Sequence, residues 1–463
     1  MSFDILPDDV LVEIFDFHVI VRVHLKEDIE AWQSLVHVCQ RWRRLVFGSP
    51  RRLDLQLFCA TETQTRMRDT LDIWPALPLV VQGSANPNEL DNIIAVLERS
   101  DRVSGIDIYI PGSHSEDIWT AMQVPFPELT SLSLSSSGKV TIVPDSILGG
   151  SASRLQELSL DNILFPGLPK LLLSATHLVH LQLTTIPHPE YFSLDTVVTV
   201  LSTLTSLDMF WLQFQSPLSL PSRRPPPLTR SVLPALSSLR FKGASEYLED
   251  LVAHIDTPRL LALYITLFNQ IVFDTPHTIQ FISRAPALRT FEEAHLTFEG
   301  DTANVRFLSP TIGYDRIHLK ILCREFDWQV SSLEQVCTSS LPLLSVLEDL
   351  YIYEEAYSEP DWKDNIEDML WLELLQPFTA MKNLYLSEKF VLRIAPALQE
   401  LIGGRKIEVM PALENIFLEG LQPSGPGQEG IVKFVAARQL SGHPITVSIW
   451  ERATFRLRRG MLS

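Results

Sequence analysis

Cysteine is scarce in this sequence, with four in 463 residues, at Cys39, Cys59, Cys323 and Cys337. No two stand at C-x-x-C spacing, which excludes the common zinc and dithiol motifs, and a secreted disulfide scaffold needs a denser set. Reduced thiols and a cytoplasmic or nuclear location are expected. Basic residues are also in short supply: 38 Lys and Arg face 56 Asp and Glu, for a net charge of −18. A chain this acidic is repelled by phosphate backbones and anionic lipid, so neither nucleic acid nor a membrane surface is an expected partner. Arg41, Arg43 and Arg44 form one local basic patch against that background. The first residues, Met1-Ser2-Phe3-Asp4, lack the basic and apolar regions of a signal peptide. No apolar run reaches the ~18 residues of a transmembrane helix.

Catalytic signatures are missing as well. The sequence has no P-loop, no G-x-G-x-x-G after a strand, no H-E-x-x-H and no G-x-S-x-G. His177 and His180 lie close together, but a metal site needs further ligands. Cys39 is expected to be a small buried residue. No enzyme activity, no cofactor and no metal is expected.

What is present begins with helical periodicity. Over Leu6–Phe17, Pro7 suits a first-turn position, Asp8 and Asp9 complement the helix dipole, and Val10, Leu11, Ile14 and Phe15 make one apolar stripe. A second helical stretch carries Ile29, Trp32, Leu35, Val36 and Cys39, and runs or breaks into Trp42, Leu45 and Val46 before Gly48 and Pro50. Residues 1–50 therefore form a helical mini-domain, too small to be very stable alone.

Both ends of this segment carry a resemblance. Leu6-Pro7-Asp8-Asp9-Val10-Leu11-Val12-Glu13-Ile14-Phe15 and Val38-Cys39-Gln40-Arg41-Trp42-Arg43 resemble the two ends of the F-box motif. The stretch Phe17–Trp32 is several residues longer than in the usual F-box, so it must loop out or extend a helix. The resemblance implies a helical trio that docks on a Skp-type adaptor and, through it, on a cullin–RING ubiquitin ligase. The expected adaptor-binding residues are Leu6, Pro7, Val10, Leu11, Ile14, Phe15, Val38, Cys39 and Trp42. Some of the stripe must close the mini-domain while the rest faces the adaptor, with Trp42 as anchor or internal peg.

After Pro50 the period changes. An apolar-x-x-apolar-x-apolar core recurs, as in Leu129/Leu132/Leu134, Leu155/Leu158/Leu160, Leu204/Leu207/Met209, Leu260/Leu263/Ile265 and Leu347/Leu350/Ile352. There are ten full copies, with Leu288/Phe291 and Leu319/Ile321 as partial ones. From Val103 to Leu288 the first anchors lie 23 to 32 residues apart, in or near the leucine-rich-repeat range. Each repeat is expected to lay one short parallel strand whose inward residues are buried only when neighbours stack. Segments 166–173 and 247–252 read as returning helices. Residues 51–463 are thus expected to form a curved leucine-rich-repeat-like α/β solenoid. The position eight residues after the first anchor, Asn or Cys in well-formed repeats, holds Ile163, Ile186, Leu212, Phe268 and Leu421, so no asparagine ladder is expected. Proline- and glycine-rich stretches near 215–230 and 422–430 read as irregular loops, the first accounting for the 32-residue interval.

As a whole the chain resembles the expanded F-box families of mushroom-forming fungi, through Val38–Arg43, Gly48-Ser49-Pro50-Arg51-Arg52-Leu53 and Trp74-Pro75-Ala76-Leu77-Pro78-Leu79. The resemblance implies a substrate-recognition subunit of an SCF-type ligase, whose repeats bind an unknown protein target. The alternative is a ligase-independent protein-binding scaffold. An acidic cluster from Glu348 to Asp368, with Trp362 and Trp371 interleaved, marks Glu354, Glu355, Asp361 and Trp362 as candidate target-binding residues, although solvated carboxylates need no partner.

Overall fold

The computed structural model describes residues 6–24, 31–49, 53, 55–60, 67–73, 76–111, 115–138, 140–189, 193–216, 229–269, 273, 275–289, 291–308, 315–340, 342–355, 368–401, 409–419 and 426–451. The chain divides into two compact units, Met1–Pro187 and His188–Ser463. The break falls inside the repeats, and the first unit holds the N-terminal helices together with the first repeats.

In the first unit, helices Asp8–His24, Ala31–Val36 and Gln40–Gly48 come first. The long Phe17–Trp32 stretch extends the first helix to His24, and residues 25–30 lie outside the described set. Leu11, Val12, Phe15, Trp32, Leu35, Val36 and Val46 are buried, and Trp32 Nε1 donates to the Gln56 carbonyl at 3.0 Å, tying the helices to the first strand. Six parallel strands follow in chain order: Leu57–Ala60, Leu79–Ser84, Val103–Tyr109, Ser131–Ser135, Glu157–Asp161 and His180–Ile186. Their anchors stack in register, Ile106 on Leu132 on Leu158 on Leu181. Each fully buried leucine in such a row contributes about 1.5–3 kcal/mol. Helices such as Leu90–Leu97 and Leu168–Ser174 turn Ile93, Val96, Leu171 and Leu172 into the core.

The second unit corrects several expectations. Its first strand, Met209–Phe214, buries Phe210 and Leu212 and pairs Phe210 with Leu239 of Ser238–Gly243. The repeat core is therefore Leu207/Phe210/Leu212, three residues on from Leu204/Leu207/Met209. Its spacing to Leu178 and to Leu236 is 29 residues on both sides, so no 32-residue interval needs explaining. Phe291/Ala294/Leu296 likewise replaces Leu288/Phe291, and Ile317/Leu319 replaces Leu319/Ile321. The largest departure is topological. Ala262–Phe268 pairs in parallel with Asp315–Leu322, not with the next strand in the chain, Glu293–Glu299. Glu293–Glu299 and Thr302–Leu308 form an antiparallel hairpin, and Thr302–Leu308 pairs antiparallel with Asp315–Leu322. Beyond this three-stranded meander, Glu293–Glu299 resumes parallel pairing with Asp349–Glu354, then Asn383–Leu386, Asn415–Glu419 and Thr446–Trp450. Three strands running up, down and up keep the polarity of the stack. Behind it Phe298, Phe326, Trp371 and Phe390 pack ring to ring at 5.0–6.3 Å. Trp371, interleaved in sequence with the acidic cluster, is thus core.

Buried polar residues also join neighbouring repeats. Asn162 adopts a left-handed backbone (φ 55°) and is buried, its Nδ2 donating to the carbonyls of Ser136 (3.2 Å) and Gly138 (3.5 Å) of the preceding repeat. This one asparagine does the job of a ladder rung, one residue before the position the sequence pattern points to. Glu249, on helix Ser245–His254, is buried and accepts from the backbone N–H groups of His277 (2.7 Å) and Thr278 (2.8 Å) in the first turn of helix Pro276–Arg284. The side chain of Thr275, the N-cap residue, does not cap that helix, and the Glu249 carboxylate of the preceding repeat takes up two of its first N–H groups.

Candidate functional site

The N-terminal helices sort the expected adaptor-binding residues into two groups. Leu11 and Phe15 are fully buried and Trp42, half-buried, lays its ring against Phe15 at 4.7 Å. These three close the helical trio, the part expected of some of the stripe and the internal-peg alternative for Trp42. Val10 (39% exposed), Ile14 (44%) and Phe17 (72%) share an i, i+4, i+7 stripe turned to solvent, and Val38 (58%) stands at the start of the third helix. Pro7 is exposed and Leu6 half-buried. Cys39 is exposed, not buried: it is the N-cap of Gln40–Gly48, its Sγ accepting from Trp42 N at 3.4 Å. Arg41 binds Asp8 Oδ1 through Nε (3.0 Å) and Nη2 (2.6 Å) and the Leu6 carbonyl through Nη2, while Arg43 Nε donates to Val36 O. Two arginines of the basic patch thus clamp the trio's own backbone and first turn.

The acidic cluster is partly spent on structure. Glu355 pairs with Arg306, and Glu354 accepts from the hydroxyl of Ser387, which precedes helix Glu388–Glu400. Asp361 and Trp362 lie outside the described residues. Asp349 accepts from Asn383 Nδ2 at 2.6 Å, and Asn383 Oδ1 from Asn415 at 2.8 Å, a second ladder across three strands.

A different feature occupies the sheet face opposite the helices in the second unit. Cross-strand pairing places Trp211, Arg240, Tyr264, His318 and Arg306 side by side, and the same row continues through His295, Tyr351, Tyr385 and Phe417. Every rung is aromatic or basic. The rings stack: His295 on Tyr351 at 4.4 Å, Tyr351 on Tyr385 at 4.1 Å, Tyr385 on Phe417 at 4.4 Å, with Trp450 edge-on to Tyr351 and Tyr385. Offset ring pairs add about 0.5–1.5 kcal/mol each beyond their burial. The corresponding row in the first unit is Gln82, Asp107, Ser133, Ser159 and Gln182, small and polar. The signal was present in the sequence: apart from Arg306, on the antiparallel strand, each residue of the aromatic and basic row stands between the second and third anchors of its repeat core, where the anchor search passes over it.

Burial holds several titratable groups of the second unit in their neutral forms. Burial pushes His318 down to about 4, helped by the charges of Arg306 and Lys320, and its Nε2 lies 3.2 Å from Asn304 Oδ1. Burial raises Tyr351 and Tyr385, raises Cys337 and pushes Cys323 up to about 11, so these phenols and thiols stay protonated at neutral pH. His318 carries a pH prediction. The unfolded chain takes up its proton near pH 6.5, the folded one only near 4, so stability is lost as pH falls through that window. The loss is on the order of 2–3 kcal/mol, and His318→Gln should narrow the gap between urea midpoints at pH 7 and pH 5. An unchanged gap would assign the acid sensitivity elsewhere.

Among the described residues no group of three or more His, Cys, Asp and Glu side chains is placed to hold a metal, and no helix is long and apolar enough to cross a membrane. No protein-family model and no curated protein matches the chain. Among solved structures it is similar to the leucine-rich repeat-containing protein LegL7 from Legionella pneumophila, at 14% identity and a TM-score of 0.26, over 84% of this chain and 98% of that one. At that score the likeness identifies neither family nor activity. The leucine-rich-repeat-like character rests on the strands, their register and their stacked anchors.

Proposed function

We propose that this chain is a non-enzymatic, target-recruiting subunit of an SCF-type ubiquitin ligase, its N-terminal helices docking on a Skp-type adaptor and its repeats holding a protein target. The observation that carries this reading is the sorting of the N-terminal stripe. Leu11, Phe15 and Trp42 close the trio, which leaves Val10, Ile14, Phe17 and Val38 as an apolar set on its surface. A partner groove takes an amphipathic helix through anchors at this spacing. The F-box-like wording at Leu6–Phe15 and Val38–Arg43 supplies the identity of that partner. The chain then contributes no reacting group. It raises the effective concentration of target lysines near the charged ubiquitin carrier. The aromatic and basic row of the second unit is the surface for the target, because desolvated aromatic and arginine side chains dominate protein interfaces.

The test is co-purification of the full chain with a Skp-type adaptor, native against Val10→Asp/Ile14→Asp. Both positions are exposed, so the variant keeps its fold, and a carboxylate forced into an apolar groove lowers affinity by about 100-fold or more. A stoichiometric complex lost in the variant is the expected result. A folded native chain that retains no adaptor overturns the ligase reading and leaves a ligase-independent repeat scaffold. That second reading draws on the same row, which requires no adaptor.

A further inference from the structure

We infer that the face of the strands Met209–Phe214, Ser238–Gly243, Ala262–Phe268 and Asp315–Leu322 binds a short acidic segment of a partner protein, with Arg240 as its central anchor. The inference deepens the proposal that the repeats hold a target, and names the chemistry of what they hold.

Charge is the first ground. The chain carries a net −18, yet these four adjacent strands contain Arg240, Lys242, Arg316 and Lys320 and a single carboxylate, Asp315, at the first position of the last strand. All four cations lie on the face away from the helices, since the alternate residues are the buried anchors. His318 adds no charge there above pH 5, for the reasons given above.

Geometry is the second ground. Arg240 lies between two rings, its Cζ 5.4 Å from the centroid of Trp211 and 4.7 Å from that of Tyr264. Those rings flank the guanidinium plane, and its N–H donors make no hydrogen bond among the described residues. Among the described residues no carboxylate lies within ion-pair distance of Arg240, and its Nε is buried without a hydrogen-bond partner. A planar fork held in this way, with its donors unused, is matched by a carboxylate, which accepts two parallel N–H bonds. Lys242, its Nζ 6.0 Å from the Phe268 ring, stands two residues along the same strand, and Lys320 two residues beyond His318 on its own strand.

Dimensions and surroundings choose between polyanions. Four strands at about 4.8 Å spacing span about 14 Å, the length of about four extended residues. Further along the row the surface changes sign: Arg306 is already paired with Glu355, and Glu293 and Asp349 follow in the adjacent row. A long nucleic-acid strand crossing the patch would run onto those carboxylates, whereas a segment with a few Asp and Glu fits within it.

The experiment uses the full chain and fluorescence anisotropy. The probes are a fluorescein-labelled peptide of six alternating aspartates and glutamates, its asparagine/glutamine counterpart, and a labelled ten-base oligothymidine. The acidic peptide is expected to bind at least tenfold more tightly than the neutral one, with affinity falling as salt rises. Arg240→Glu and Lys320→Glu are each expected to weaken it at least tenfold. Lys320→Glu is the safeguard should the ring sandwich fail to form in Arg240→Glu, and thermal melting of both variants checks their fold. Equal binding of the neutral peptide, or no effect of charge reversal in a folded variant, overturns the inference. Tighter binding of the oligothymidine also overturns it and makes the patch a nucleic-acid surface. Adaptor co-purification of Arg240→Glu should match the native chain, so failure here and failure of the ligase reading are separate results.

Discussion

Phe15→Ala is expected to melt the N-terminal helices while the repeats stay folded. Phe15 has no exposed surface and its ring meets Trp42 at 4.7 Å, so truncation removes about 3–5 kcal/mol of burial and packing. A helical segment of this size holds only a few kcal/mol of its own. The Trp32 bond to Gln56 and the Arg41 bonds to Asp8 cannot replace that core. Hydrogen exchange should show residues 8–48 losing protection while the strands from Val103 to Ile186 keep theirs. Adaptor co-purification should be lost together with the protection. In Val10→Asp/Ile14→Asp, by contrast, binding should go and protection remain. If Phe15→Ala leaves residues 8–48 protected, the first repeats, not the internal core, hold these helices together.

Glu249→Leu should lower the stability of the second unit by about 3–5 kcal/mol, the cost of stranding two buried helix N–H groups that had a charged acceptor. The carboxylate bonds to His277 N and Thr278 N connect successive helices, so the damage should spread beyond Pro276–Arg284. Burial raises the pKa of Glu249 in spite of those two bonds, which means the ionised form is itself costly to hold there. Glu249→Gln, neutral and of the same shape, should therefore recover more than half of the loss. Thermal melting of the two variants side by side checks this. Equal destabilisation by Leu and Gln would show that charge matters at this position and not the acceptor atoms alone.

Much of this architecture was legible in the sequence because it rests on period. The stripe Val10/Leu11/Ile14/Phe15, the anchors Leu132, Leu158 and Leu181, and the helices Leu168–Ser174 and Ser245–His254 all follow from apolar spacing alone. Spacing fails where several registers look alike. Leu204/Leu207/Met209 satisfies the pattern as well as Leu207/Phe210/Leu212, and only pairing with Leu239 decides between them. Periodicity also says nothing about strand direction, so the hairpin of Glu293–Glu299 and Thr302–Leu308 passed as a weak repeat. Leu11 and Val10 are equally apolar, and the rotation of the helix against Trp32 and Val46 decides which is buried. The aromatic and basic row escaped notice because it occupies the variable positions between anchors, where a search for leucines assigns no meaning.

The meander in the second unit has a consequence for how that unit assembles. Parallel repeats grow by adding each new strand to the one just made. From Met209 that growth reaches Ala262–Phe268 and halts, because its next neighbour, Asp315–Leu322, comes more than fifty residues later in the chain. The hairpin of Glu293–Glu299 and Thr302–Leu308 is local and closes early, on the microsecond scale of such turns. Asp315–Leu322 then serves as the keystone, joining the hairpin on one side to the earlier repeats on the other, and the loop it closes is expected to slow folding. In a chain emerging from the ribosome, Met209–Phe268 would be an open-ended stack until that strand arrives and brings Arg316 and Lys320, half of the basic patch.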